Sequence, residues 1–153
     1  MFLGRFDHAV DAKGRVAIPA QLRRDLGGDA VISIGPEGRL MLWPTAQAWQ
    51  GHSDSLRLTA GTPAERRKLL SVSNSMTFPV DLDGQGRLLL STMHREFAGI
   101  RERATFVGQM DHIEVLATEG WEEYTADVTR ESFTELYDRV NPVGAAAPAP
   151  VPS

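Results

Sequence analysis

The feature that most limits what this 153-residue chain can fold into is a five-residue pattern, Asp-x-x-Gly-Arg, that occurs twice. It stands at Asp11–Arg15 in "VDAKGRVAIPAQLRRDLGG" and at Asp83–Arg87 in "LDGQGRLLLSTMHREFAG", 72 positions apart. Trp49 and Trp121 are separated by the same 72, and "RLMLW" from Arg39 parallels "HIEVL" from His112 at 73. Self-similarity at a fixed period is the mark of one supersecondary unit written twice. Each unit reads as strand, turn, strand, short helix, strand, turn, strand and a longer helix.

Local chemistry places these elements. "RVAI" after Arg15 suits a strand; Pro19 then suits a first helical position and Gly27 the position past its end, which predicts a helix of about two turns. "AVISIGPEGRLML" is two β-rich runs around a Gly-Pro-Glu-Gly turn, hence a hairpin, and "ATFVGQMDHIEVL" repeats it with a weaker turn. Thr62-Pro63-Ala64-Glu65 has capping-box order and predicts a helix through about Leu70. Phe133, Leu136, Tyr137 and Val140 recur at i, i+3, i+4 and i+7, so residues 119–140 are expected to form an amphipathic helix whose other face is acidic. From Pro142 the Pro/Ala-rich stretch has almost nothing to bury and is expected to be a disordered tail.

With 42% hydrophobic residues, the chain can bury a core. It has no run of 18 apolar residues and no secretory leader, so a cytoplasmic protein without a membrane partner is expected. The absence of cysteine excludes disulfides, thiolate nucleophiles and cysteine–zinc sites. A net charge of −4 has the wrong sign for nucleic acid, yet the charges are segregated. Residues 1–28 carry five basic and three acidic groups, a net +2, whereas residues 111–139 carry nine acids and two arginines, a net −7. A basic face can therefore coexist with an acidic helix.

In Asp-x-x-Gly-Arg the aspartate can accept backbone N–H groups two or three residues on, closing an Asx-type turn, while the glycine takes a left-handed backbone. Asp11 with Gly14 and Asp83 with Gly86 are the turn residues. Arg15 and Arg87 then stand at the tips of rigid turns, where a guanidinium fork matches phosphate oxygens or the O6/N7 edge of guanine. Lys13 adds a point charge, and Arg23 and Arg24 follow on the first short helix, in the neighbourhood of Lys13 and Arg15. The same residues also permit a purely structural turn with an internal Asp–Arg pair. Two copies at matching places, each followed by a helix bearing arginine, favour the DNA contact.

No catalytic constellation emerges. His8, His52, His94 and His112 lack metal-ligand spacing, Ser71, Ser73 and Ser75 lack a nucleophile elbow and suit a polar helix end or loop, and no phosphate loop or cofactor-binding unit is present. No metal, cofactor, small-molecule substrate or enzymatic activity is expected. Trp49 and Trp121, at matching places near helix starts, suit core packing.

The opening "MFLG", "DAKGRVAIP", "DGQGRLLL" and "FVGQMDHIEV", in this order and spacing over about residues 1–140, resemble the MraZ family, tandem-repeat members of the SpoVT/AbrB-type transcription factors. "DAKGRVAIPAQLRRDLG" also resembles the AbrB N-terminal DNA-binding unit. The resemblance implies an α+β, mainly β fold in which two tandem AbrB-type swapped-hairpin repeats form a pseudo-dimeric barrel with flanking helices. Its organisation would be a first repeat at 1–50, a helical segment at 51–78, a second repeat at 79–122, a C-terminal amphipathic helix at 123–141 and the tail at 142–153. It further implies a ring-shaped homo-oligomer that associates with the nucleoid. Such a ring would repress the operon for division and cell-wall synthesis through short direct repeats in double-stranded DNA. Carried over residue by residue, Asp11, Gly14, Arg15, Asp83, Gly86 and Arg87 are the motif positions, and Lys13, Arg23 and Arg24 match basic positions. Ser91-Thr92 in place of a helix-opening proline, Leu116 in place of an aromatic, Gln85 opposite Lys13 and a net charge of zero over residues 79–103 lead to the expectation that the second repeat grips DNA less than the first. The rival reading is an antitoxin-like or scaffold protein–protein module of the same fold, favoured by the acidic stretch 111–139.

Overall fold

The computed structural model describes residues 1–58 and 60–142; the remainder of the expected tail, 143–153, lies outside the described residues. The chain divides into two units, Met1–Trp121 and a second from Glu122 onward. The strands are β1 (Arg5–Ala9), β2 (Arg15–Ala17), β3 (Val31–Ile34), β4 (Leu40–Trp43), β5 (Phe78–Pro79), β6 (Arg87–Leu89), β7 (Arg103–Gly108) and β8 (Ile113–Ala117). The helices are α1 (Ala20–Arg23), α2 (Ala46–Leu56), α3 (Pro63–Ser75), α4 (Thr92–Ala98), α5 (Thr118–Thr125) and α6 (Arg130–Val140).

The fold of the first unit is α+β, with helices around a six-stranded sheet of order β1-β7-β8-β4-β3-β5 and a separate β2–β6 ribbon. The sheet is open, with β1 and β5 as its ends, and hydrogen bonds do not close it into a barrel. Its pairing exchanges strands between the repeats: β1 of the first pairs with β7 of the second, and β5 of the second pairs with β3 of the first. Two pairings are self-symmetric. Val16 faces its counterpart Leu88 in the ribbon, and Met41 faces its counterpart Glu114 between β4 and β8. A local twofold therefore relates the halves, and neither half completes its sheet alone.

The hairpins follow from their turns. β3 and β4 pair from Val31↔Trp43 to Ile34↔Leu40 around a 3-10 turn, Pro36–Gly38, in which Glu37 and Gly38 both take positive φ. In the second hairpin Met110 takes the left-handed position at φ 72, unfavourable for a bulky side chain. The N-terminal segment holds it there, since the N–H of Phe2 donates to the Met110 carbonyl at 2.9 Å and that of Met110 to the Phe2 carbonyl at 2.8 Å.

One buried cluster joins the ribbon to the sheet: Val16, Ile18, Leu22, Leu88 and Leu90 meet Ile32, Leu40, Leu42, Phe106, Ile113 and Val115. Each such side chain contributes about 1.5–3 kcal/mol when buried. The two turns that lead into the ribbon are thus anchored on the core.

Helix lengths depart from expectation where capping decides. α1 is one turn rather than two, because Pro19 occupies the N-cap, where it offers no side-chain acceptor. Its counterpart α4 reaches seven residues, since Ser91 caps the N–H of His94 and Gly99 closes the C-terminus at φ 65. Gly27 instead lets the backbone approach Pro44, donating to its carbonyl at 2.9 Å. α3 has the full Thr62–Glu65 capping box but runs on to Ser75. The single helix expected over 119–140 is two, α5 and α6, because Thr129 and Ser132 form a fresh capping box that starts α6.

Trp49 packs against the small cluster of Val31, Met41 and Trp43. Trp43 is stacked between His52 and His112, with ring centroids at 4.8 and 4.5 Å, and donates its indole N–H to Ser33 Oγ. His94 is buried with Nε2 2.7 Å from the Met76 carbonyl, and His8 Nδ1 lies 2.6 Å from that of Ala17. Each of the four histidines thus has a packing or hydrogen-bonding place in the fold.

Candidate nucleic-acid interface

The two Asp-x-x-Gly-Arg segments close the same turn, bond for bond. In the first, Asp11 Oδ1 accepts the N–H groups of Lys13 at 3.0 Å and Arg15 at 2.9 Å, and Oδ2 accepts Arg15 Nε at 2.8 Å. In the second, Asp83 Oδ1 accepts the N–H groups of Gln85 and Arg87, both at 2.9 Å, and Oδ2 accepts Arg87 Nε at 2.7 Å. The fourth residue must be glycine: Gly14 and Gly86 sit at φ 83 and 75, where any β-carbon is strained. The Asx-type turn read from sequence is present twice, except that the second N–H comes from four positions on, not three, because the glycine at the fourth place turns its own N–H to the aspartate carbonyl.

Arg15 does not simply project from its turn. Its Nε is tied to Asp11, its side chain is 32% exposed, and Arg87 is held in the same way at 31%. The internal Asp–Arg pair, one of the two roles that the residues allowed, is therefore real. It is also compatible with the other, because pairing through Nε orients the guanidinium while the Nη end is the part that makes a fork. Arg87 Nη1 lies 3.9 Å from Asp11 Oδ2, so the two turns are neighbours.

The antiparallel β2–β6 pairing sets them side by side, and the short helices cross over. Arg23 of the first repeat lies against Gly86 of the second turn, where an added β-carbon would be 2.9 Å from its Nη1. Arg95 of the second repeat lies against Gly14 of the first turn, donating from Nε to the Leu90 carbonyl at 3.1 Å. Arg23 was expected beside Lys13 and Arg15, and the structure puts it over the opposite turn. Arg95 was missed by sequence reasoning. The signal was available, since it stands 72 positions after Arg23. Lys13, Arg23 and Arg24 are exposed. Each turn is thus served by its own arginine and by one from the other repeat. Lys13 and Arg24 have no basic counterpart, their equivalents being Gln85 and Glu96.

The backbone N–H of Arg15, more than its side chain, holds the Asp11 carboxyl below its ordinary range, and that of Arg87 does the same for Asp83. A carboxylate whose pKa is depressed on folding stabilises the fold above the unfolded-state value, about 3.9, and loses that contribution as pH falls through the folded value. Thermal melts of Asp11→Asn and Asp83→Asn should accordingly show a flatter loss of stability below about pH 4 than the parent. An unchanged acid limb in both variants would remove these carboxylates from the account.

Comparison with known proteins bears on what such a pair of turns belongs to. A family model described as "MraZ protein, putative antitoxin-like" matches residues 1–70 and 75–141. The chain belongs to the MraZ family. Both turns and all the exchanged strands fall within the two matched stretches. A relative from Symbiobacterium thermophilum, named transcriptional regulator MraZ, is 35% identical over 138 residues, covering 90% of this chain and 99% of the relative. Relatives of the same name from Clostridium beijerinckii and Syntrophomonas wolfei are 32% and 33% identical over 144 residues, in each case 94% of this chain and 99% of the relative. Among the described residues no helix is long and apolar enough to cross a membrane.

Proposed function

We propose that this MraZ-family chain is a sequence-specific DNA-binding transcriptional regulator of the cytoplasm and nucleoid. In this reading it represses the operon for division and cell-wall synthesis by binding short direct repeats as a ring-shaped homo-oligomer. The names of its relatives support regulation of transcription. The observation that carries the DNA contact is the pair of neighbouring, core-anchored turns, each with an oriented arginine and a second arginine from the opposite repeat. The exchanged strand pairing supports the two repeats acting as a swapped-hairpin pseudo-dimer, with the domain limits set out above.

In mechanism, Arg15 and Lys13 reach guanine in the major groove, and Arg23, Arg24, Arg87 and Arg95 hold phosphates. One subunit offers few such contacts, so identical turns repeated around a ring would supply affinity through effective concentration. Mobility shifts at several salt concentrations, with probes carrying one, two or more boxes, test this. Each phosphate contact adds about −0.9 to the slope of log affinity against log salt, so an array should give a steeper slope than a single box. Equal slopes and equal affinities for one box and many would refute the multi-subunit grip.

The crossover makes a second expectation. Arg23→Ala should couple more strongly to Arg87→Ala than to Arg15→Ala, since the interaction in a double-mutant cycle is largest for residues in contact. Arg15→Ala should still exceed Arg87→Ala, but by the contribution of Lys13 alone, because Arg23 lends its charge to the second turn. Coupling of Arg23 to Arg15 rather than to Arg87 would contradict the composite heads.

An antitoxin-like or scaffold module remains the second reading, favoured by the family description and by the −7 charge of residues 111–139. It requires that turn substitutions leave partner binding intact and that no operator fragment shifts.

A further inference from the structure

The two turns close in the same way, but their tips carry different chemistry. The third place of the motif is Lys13 in the first turn and Gln85 in the second. Each gives its backbone N–H to the motif aspartate, at 3.0 Å to Asp11 and 2.9 Å to Asp83, so both side chains start from the same backbone frame. Both residues are exposed. Gln85 stands between Gly84 and Gly86 and is the only side chain between Asp83 and Arg87. Its tip is clear of the rest of the chain, since a β-carbon added at Gly84 would meet nothing within 4 Å. The facing of Val16 and Leu88 in the β2–β6 ribbon puts the local twofold between the tips, and that twofold carries Lys13 onto Gln85.

We propose that Gln85 is a specificity residue of the second turn and that it reads adenine. The inference rests on the DNA-binding reading above and names the base that the second half of the operator box presents to this residue. A protein with twofold symmetry meets a duplex at positions mirrored about the dyad. Where the first tip sets a lysine against a base edge, the second therefore sets a glutamine against the mirrored one. Donor and acceptor chemistry decides what each prefers. An ammonium only donates, so Lys13 suits guanine, whose O6 and N7 both accept. A carboxamide donates and accepts, and so matches the N6 amino group and N7 of adenine with two hydrogen bonds. Against guanine the oxygen of the amide would face another acceptor, and thymine and cytosine each offer a single polar group in the major groove. Arg87 and Arg23 hold phosphates in this reading, which leaves the base edge to Gln85. The box that follows is not a palindrome, because its two halves share a dyad but present different bases. Such a box has a direction, so copies of it along DNA can run as direct repeats.

The test is selection of binding sites by the full-length protein from a pool of random duplexes, repeated with Gln85→Ala, Gln85→Lys and Lys13→Gln. Circular dichroism and melting report on their folding. The parent should select a box with adenine at one position of its second half. Gln85→Ala should keep the rest of the box and lose that preference, by about fivefold or more in relative affinity. Gln85→Lys should change the same position from adenine to guanine and turn the box into an inverted repeat. Lys13→Gln should change the mirrored position from guanine to adenine. All three variants keep the backbone N–H that closes the turn, so a purely structural role would move none of these preferences. They act on two separate tips, so the misfolding of one leaves the others decisive. A parent that selects a box which the Gln85 variants select unchanged overturns the assignment and leaves the DNA-binding reading standing. A Gln85-dependent position that holds a base other than adenine overturns the choice of base. A parent that selects no box overturns both readings.

Discussion

Arg15→Ala is expected to lower operator affinity by at least about tenfold, with a loss of stability no larger than about 1 kcal/mol. The two effects separate because the residue has two ends. Nε is paired with Asp11, but the side chain is about one-third exposed, and Asp11 would still accept the backbone N–H groups of residues 13 and 15. Solvent screening keeps the lost pair small. The fork, by contrast, has no substitute in an alanine, and a ring would lose it in every subunit at once. Arg15→Lys sharpens the test: it keeps the charge and loses the planar fork, so affinity should recover only in part. Mobility shifts beside thermal melts measure both quantities. Normal binding by Arg15→Ala would leave the arginine as a structural partner of Asp11 and nothing more.

Gly14→Val is expected to destabilise the protein by at least about 1–3 kcal/mol, the usual cost of holding a non-glycine residue at such a φ. Crowding adds to this. A β-carbon at Gly14 would stand 2.7 Å from the Leu90 carbonyl oxygen, part of a backbone that also donates from Leu90 N–H to the Gly14 carbonyl at 2.9 Å. At Gly86 the nearest atom is Nη1 of Arg23, the end of a flexible side chain that can swing away. Gly86→Ala should therefore melt closer to the parent than Gly14→Ala does, yet lose DNA affinity by displacing Arg23. Equal melting temperatures for the two alanine variants would contradict the asymmetry.

The turns, the hairpins and the Thr62–Glu65 capping box were legible because each is decided within about five residues. An aspartate finds the N–H groups two and four positions on, and a glycine accepts the backbone that this requires, whatever surrounds them. The same locality made Gly14 and Gly86 readable as positive-φ positions. α1 and the 119–140 segment were misjudged by a local rule applied in the wrong place: Pro19 sits one position earlier than a first-turn proline, and Thr129 restarts a helix that apolar spacing alone would continue.

What the chain by itself determined is thus a unit written twice, with its turn chemistry and its segregated charge. Only the tertiary structure decided which copy each piece joins. Because the repeats present matching apolar strands, the pattern that lets β1 pair with β3 equally lets it pair with β7. The choice depends on total burial across about 100 residues of separation rather than on any neighbour in sequence. The exchange of strands carries the short helices with it, and so Arg23 stands over Gly86 and Arg95 over Gly14, positions that no local signal contains.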